Sequence, residues 1–235
     1  MSEGLAAAAS ALSAQQTRME ALANDVANAN TPGYAKERLA FRDLTYSYGV
    51  GAGTATTDAG PSFQPGPIQA SDSPLALAID GPGFFQVRLG DGRIALTRGG
   101  DFRVDAGGAL VLADGSRLEP PVTVPAGTDP GDVKISTDGA ITAGGKQLGK
   151  IVLADVPARA SLQRLGDGLY LPTTASGAPV AARGAKLQQG SLEGSNVDPG
   201  DTMLDMLDAQ RAYELASRAI RMQDELMQIA NEIRR

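Results

Sequence analysis

The chain has 235 residues, enough for one or two globular units, and its 27 acidic and 21 basic side chains give a formal net charge of −6. It has no cysteine and no histidine, which excludes disulfides, thiolate metal sites, thiol nucleophiles and a Ser-His-Asp triad, and removes the commonest general base and metal ligand. The longest basic cluster is Arg234-Arg235, no footprint for nucleic acid, and no apolar run reaches the ~18 residues of a membrane span.

Residues 4–28 predict one helix of about 37 Å. Leu5, Leu12, Met19 and Val26 share a heptad position and are joined by Ala8 and Leu22, while Gln15, Gln16, Arg18, Glu20 and Asp25 take other faces. The segment is alanine-rich but carries Glu3 where a secretion leader carries positive charge, so it is a poor leader. It stops at Asn28-Ala29-Asn30-Thr31-Pro32-Gly33: asparagine competes for backbone hydrogen bonds, Pro32 disfavours a helical Thr31, and Gly33 tolerates positive φ. Asn24 and Asn28 read either as helix-surface and cap residues or as amides that bond backbone at a turn or subunit contact. Thr31, Pro32 and Gly33 read as a helix stop or as a fixed bend that sends the chain outward.

Residues 34–43 are mixed, and 49–66 are mostly glycine, alanine, threonine and proline, the composition of a linker or extended arm. From 74 to 190 short alternating runs predict many strands. Asp91-Gly92, Gly107-Gly108, Asp114-Gly115, Asp138-Gly139, Gly144-Gly145 and Asp167-Gly168 punctuate them as hairpin turns. Asp198, Pro199 and Asp201 then mark a helix start, with a cap, a proline suited to the first helical position and an acid in the first turn. A helix over 199–233 would run about 50 Å, with Met206, Tyr213, Ile220 and Met227 on one heptad position and Ala212, Ala219, Leu226 and Ile233 one place before each. A 3.5-residue apolar repeat needs a partner helix. The two ends are therefore expected to pair, Leu5, Leu12, Met19 and Val26 on Met206, Tyr213, Ile220 and Met227, with Tyr213 in the core.

Motifs for chemistry are missing. Residues 139–146 imitate a P-loop, but the first glycine is one place off and Gln147 stands where a Ser or Thr should meet Mg²⁺. Residues 49–53 lack the third glycine of a dinucleotide site, Gly194-Ser195-Asn196 has no base beside its serine, and no run matches an EF-hand loop. No catalytic, metal or cofactor residue is assigned. For a wall hydrolase, Asp101, Asp105 and Glu119 are the loose candidate carboxylates. An envelope protein gripping glycan would need a groove of clustered aromatics, and the five Phe and five Tyr are spread along the chain.

Three stretches resemble one family. Residues 22–34 (LANDVANANTPGY) are similar to the N-terminal signature of the bacterial flagellar rod and hook proteins. Residues 74–87, from Pro74 through Gly81, Gly83, Phe84 and Phe85 to Val87, continuing over 96–102 (LTRGGDF), resemble its central segment. Residues 190–197 (GSLEGSNV), followed by Met203, Met206, Gln210, Arg211, Tyr213 and Glu214, resemble its C-terminal signature. The departures are Asp25, Leu96 and Gly200-Asp201.

The resemblance implies an α+β protein whose N- and C-terminal helices form a coiled-coil-like core with an outer, mainly β domain. The expected divisions are 1–33, a helix of the axial core; 34–73, an extended arm or linker; 74–190, the β-rich outer domain; and 191–235, the second core helix. It further implies a structural rod subunit, not an enzyme, that polymerises helically into the axial tube of the flagellar basal body, transmits torque and encloses the export channel. Its partners would be copies of itself, other rod and hook proteins, the flagellar type III export apparatus and bushing or ring proteins, with no nucleic acid, no membrane insertion and no cleaved signal peptide. The central and C-terminal motifs look most like a distal rod protein. Leu192-Glu193-Gly194-Ser195-Asn196-Val197 also suits a proximal one, and the stretch from Phe41 to Pro74 is short for a distal subunit. Residues expected to serve assembly are Leu5, Leu12, Met19, Val26, Asn24, Asn28, Thr31, Pro32, Gly33, Tyr34, Gly81, Gly83, Phe84, Phe85, Ser195, Asn196, Val197, Met206, Gln210, Arg211, Tyr213, Ile220 and Met227.

Overall fold

In the computed structural model, which describes residues 3–45 and 51–233, the protein begins and ends in helices, α1 (Glu3–Ala27) and α2 (Pro199–Ile233). The described residues between them form antiparallel sheets, turns and two 3-10 turns, so the fold is α+β. The chain divides into one unit of Met1–Ala27, Glu37–Ala59 and Asp198–Arg235 and another of Asn28–Lys36 and Gly60–Val197.

In the helical unit, α2 starts where its cap chemistry requires. Asp198 Oδ1 accepts from the N–H groups of Gly200 and Asp201 at 2.8 and 3.1 Å, Pro199 takes the first helical position, and Thr202 Oγ1 donates to the Asp198 carbonyl at 2.7 Å. The two helices pair. Arg18 Nη2 donates to Asp205 Oδ1 at 3.2 Å, and Ala14, Leu22, Thr202 and Ala209 are buried. An antiparallel register through Arg18 and Asp205 sets Ala14 level with Ala209 and Leu22 level with Thr202. The seam is thus built on small side chains, which let two helix backbones approach closely. This corrects the expected heptad: Leu12, Met19, Val26, Met206 and Ile220 are half-buried flanks of the seam, and Tyr213 is 37% exposed rather than in the core. The side chains of Leu5 and Met227 lie outside the described residues.

The expected arm is instead a ribbon of two paired strands, β1 (Glu37–Thr45) and β2 (Gly51–Pro61), of which all but Gly60 and Pro61 belongs with the helices. It runs along α1. Asp25 Oδ1 accepts from Glu37 N–H at 3.0 Å, Arg18 lies 6.0 Å from the Phe41 ring centroid, and Ser10 Oγ accepts from Thr54 N–H at 3.0 Å. The small-residue composition that reads as a linker is what this contact demands: a Cβ on Gly53 would fall 2.0 Å from Ser10 Oγ.

The β unit has a seven-stranded antiparallel sheet in the order Gln163–Gly166, Leu169–Leu171, Ile94–Thr97, Phe85–Arg88, Arg117–Glu119, Leu110–Val111, Arg103–Val104. A three-stranded sheet of Val133–Ile135, Ala140–Ala143 and Lys146–Lys150 packs into the same core, which runs from Leu77, Ile79 and Val87 through Phe102 and Leu118 to Ile141. All six turn pairs join paired strands, so the P-loop look-alike at 139–146 is two hairpin turns. Thr123 makes an isolated bridge to Ala109. The last strands return to the first: Lys186–Gln189 pairs with Leu77–Asp80, and Ser191–Glu193 pairs with Ile68–Ala70.

Candidate functional site

The segments on which the β unit opens and closes meet at one buried ion pair. Arg98 and Glu193, 95 positions apart, contact through Nη2 and Oε2 at 2.6 Å with side chains only 5% and 4% exposed. The guanidinium spends its remaining donors on main-chain carbonyls: Nη1 on Gly83 at 2.8 Å, Nη2 on Ile79 at 3.2 Å, and both on Gly81 at 3.3 Å. Gly81 and Gly83 have φ of 114° and 126°, and their carbonyls close on one cation. Glu193 is equally occupied. Its Oε1 accepts from Gly66 N–H at 3.0 Å, and its main-chain carbonyl accepts from Gly33 N–H at 2.8 Å. A charge this deep is tolerated only because each donor and each oxygen is matched.

Beside this pair the chain bends. Thr31 N–H donates to the Asn28 carbonyl at 3.0 Å and Thr31 Oγ1 to Asn28 Oδ1 at 3.2 Å, so Asn28 and Thr31 hold a turn. Gly33 is buried at φ +71°, and an added Cβ would lie 2.5 Å from Gly99 N. Asn196 ties the other end across. Its Oδ1 accepts from Lys36 N–H at 2.7 Å, its Nδ2 donates to the carbonyls of Ser62 and Gln64 at 2.6 and 2.9 Å, and its N–H donates to the Tyr34 carbonyl at 3.3 Å. Ser195 Oγ accepts from Val197 N–H at 3.2 Å, and Arg164 lies 5.7 Å from the buried Tyr34 ring. Residues 33–36 and 193–196 are thereby held side by side within the β unit.

Of the residues expected to serve assembly, the site brings together Asn28, Thr31, Gly33, Tyr34, Gly81, Gly83, Ser195, Asn196 and Val197. Pro32 and Asn24 are exposed. Phe84 and Phe85 are fully buried, Phe84 against Phe63 with centroids 5.0 Å apart and Phe85 against Phe102 at 5.2 Å, so they touch no partner directly. Gln210 and Arg211 are exposed on α2, Arg211 lying 3.8 Å from Asp208. Arg98 and Glu193 complete the site; the sequence signal at Glu193 is a lone charge in GSLEGSNV, whereas Arg98 shares LTRGGDF with Asp101.

The carboxylates weighed for a hydrolase are engaged elsewhere: Asp101 with Arg103 at 3.1 Å, Glu119 with Arg88 at 3.0 Å, and Asp105 with the turn N–H groups of Gly107 and Ala109 at 2.8 Å. Among the described residues, no cluster of three or more acidic side chains is placed to hold a metal, and no helix is long and apolar enough to cross a membrane. The Phe63, Phe84 and Tyr170 rings gather in a core rather than in a groove.

Comparison with known proteins finds the same three regions. Residues 5–34 match the family described as flagella basal body rod protein, 78–143 the flagellar hook protein FlgE/F/G D1 domain, and 188–233 the C-terminal part of flagellar basal body rod FlgEFG proteins. The protein is 35% identical to the flagellar basal-body rod protein FlgG of Agrobacterium fabrum over 97% of this chain and 98% of that one. It is 33% identical to FlgG of Caulobacter vibrioides over 99% of each, and 31% identical to FlgF of the same organism over 94% of each. The chain belongs to the flagellar basal-body rod protein family. It is a structural rod subunit, and rod proteins of this kind assemble with other axial proteins of the flagellum. The buried site draws on each region that marks a rod protein: Gly33 from the first, Arg98 from the second, Glu193 and Asn196 from the third.

Proposed function

We propose that this rod subunit occupies the rod position of its FlgG relatives and polymerises by a head-to-tail helical contact that does not close into a ring. The terminal helices would line a tube around the export channel, and the β unit would face outward. The carrying observation is the Arg98–Glu193 site, where the segment after α1 at Gly33 and the strand Ser191–Glu193 before α2 meet within the β unit at one buried ion pair. Each of the three regions by which the chain matches rod proteins supplies a residue to that site.

Passage to the rod by the flagellar type III apparatus, with no removal of the N-terminal segment, accords with the fold: residues 3–27 form the helix that covers α2, and cleavage there would strip it. The assembled subunit would lie on the periplasmic side of the envelope, next to the bushing rings. An epitope in the exposed turn at Asp91-Gly92 tests this in the protein's own host. The tagged chain should copurify with hook–basal-body particles at rod stoichiometry and be lost from them when export is disabled. Recovery of the tagged chain in the soluble fraction alone would overturn the reading. The purified full-length chain should likewise sediment as rods at high concentration, visible by electron microscopy.

A further inference from the structure

We infer that residues 186–197 are a closing segment on which the whole β unit waits: its sheets gain protection only when that segment docks, so the unit stays open until the end of the chain is free to fold. The use of such a device rests on the rod-subunit reading, in which the chain reaches its place through a channel. The segment bonds along much of the unit. The Glu193 carbonyl accepts from Gly33 N–H at 2.8 Å, Gly194 N–H donates to the Pro67 carbonyl at 2.8 Å, Gly190 N–H to the Ala76 carbonyl at 2.8 Å, and Leu187 N–H to the Thr137 carbonyl at 3.0 Å. Gln189 clamps further places: its Nε2 donates to the carbonyls of Pro74 and Val133 at 2.7 Å each, and its Oε1 accepts from Ile135 N–H at 2.7 Å. A Cβ on Gly66 would fall 2.1 Å from the Gly194 carbonyl oxygen, so the bed of the segment is shaped for close main-chain approach.

Without the segment the unit has no sealed form. Among the described residues, Lys186–Gln189 is the strand paired with Leu77–Asp80, and Ser191–Glu193 is the strand paired with Ile68–Ala70. Leu77 and Ile79 are buried in a core that includes Leu187. Removing the segment would bare an edge of each strand and unseat that core. It would also leave Arg98 as a buried cation without its bonded carboxylate, and the N–H groups of Gly33 and Gly66 without these acceptors. The bonds join residues far apart: 95 positions for Arg98 and Glu193, 115 for Pro74 and Gln189, 127 for Gly66 and Glu193, and 160 for Lys36 and Asn196. Contacts of such separation cost the most chain entropy and are slow to form. An isolated hairpin is marginal in water, so the hairpins of the unit become stable only together with a partner that arrives last. A chain whose end is still held in a channel thus has no folded β unit to block its passage.

Hydrogen exchange of the full-length, unsubstituted chain reads this directly. Native-state exchange through a urea series should give the amides of Leu187, Gly190 and Gly194 the same protection and the same urea dependence as those of Phe84, Leu89 and Ile151, which are bonded elsewhere in the unit. Pulse labelling during refolding from urea should protect both sets in one phase. Protection of Phe84 and Leu89 before Gly190 and Gly194 would overturn the proposal, and so would a closing segment that opens at low urea while Phe84 and Leu89 stay protected. Gln189→Ala removes the clamp and keeps the charge pair. It should lower protection in both sets by one common factor, on the order of tenfold or more for the bonds lost, whereas a loss confined to residues 186–197 counts against the device. Failure of these measurements leaves the rod-subunit reading standing. That reading falls on its own test, if the tagged chain is missing from hook–basal-body particles.

Discussion

Arg98 holds its place by charge and by count. Its donors face one carboxylate and three main-chain carbonyls, and no other side chain can replace that fork with its geometry. Arg98→Met should therefore cost about 3–5 kcal/mol in urea unfolding, because Glu193 is left as an uncompensated buried charge. Arg98→Lys should recover little of that, since a point charge cannot serve Ile79, Gly81 and Gly83 together. A loss below about 1 kcal/mol, the range of an exposed pair, would show that the site is wet. Asp155 offers a milder test at the same scale. The Arg159 guanidinium bonded to it holds its carboxyl below the usual carboxylate range, against the opposing pull of partial burial. A depressed native value means that its contribution is present above the unfolded value of about 3.9 and is lost as pH falls through the native one. Acid unfolding of Asp155→Asn should accordingly show a shallower loss of stability below pH ~4 than the parent; an identical acid limb would remove Asp155 from the account. Neither residue announces itself in the sequence. Asp-Gly and Gly-Gly turns are legible because their chemistry is local, whereas Arg98 meets Glu193 across 95 positions with nothing in either neighbourhood naming the other.

The helices show the same limit at the scale of an element. Their existence, ends and capping are written in the chain: Asp198, Pro199 and the stop after Ala27 stand where cap and breaker chemistry put them. The face they share is not, because a heptad reading rewards large apolar side chains and so picks Met206 and Tyr213. Two antiparallel helices in close approach instead reward small ones, and here Ala14 and Ala209 carry the contact. Ala209→Leu should overpack this seam and destabilise the helical unit by about 1–3 kcal/mol, while Tyr213→Ala should stay near ~0.5 kcal/mol. Denaturant titration followed by far-ultraviolet circular dichroism separates the two, and the reverse order would restore the heptad seam. The ribbon of β1 and β2 escapes a reading by composition for a related reason. Glycine, alanine and threonine there look like a linker, yet at Gly53 the lack of a side chain is what lets a strand lie against Ser10 of α1.

At the scale of the whole molecule the two units differ in what each needs from the chain. The main apolar cluster of the β unit lies between Leu75 and Leu187, and the second cluster adds Ala35 and the partly buried Phe63 from earlier in the sequence, so among the described residues neither cluster includes a residue of α1 or α2. The β unit does need its last strands. Lys186–Gln189 and Ser191–Glu193 complete pairings begun at Leu77 and Ile68, and Glu193 brings the charge that Arg98 requires. Truncation should therefore be tolerated or not according to a boundary only a few residues wide. A chain ending at Val197 should keep a cooperative thermal transition and resist protease over residues 60–197. A chain ending at Ala185 should lose that transition and be digested throughout, because the strand Leu77–Asp80 loses its neighbour and Arg98 its counter-charge. Differential scanning calorimetry with limited proteolysis on the two truncations reads this directly. Equal melting of both would mean that the closing strands are an ornament of the fold, and that the buried ion pair does not hold the β unit together.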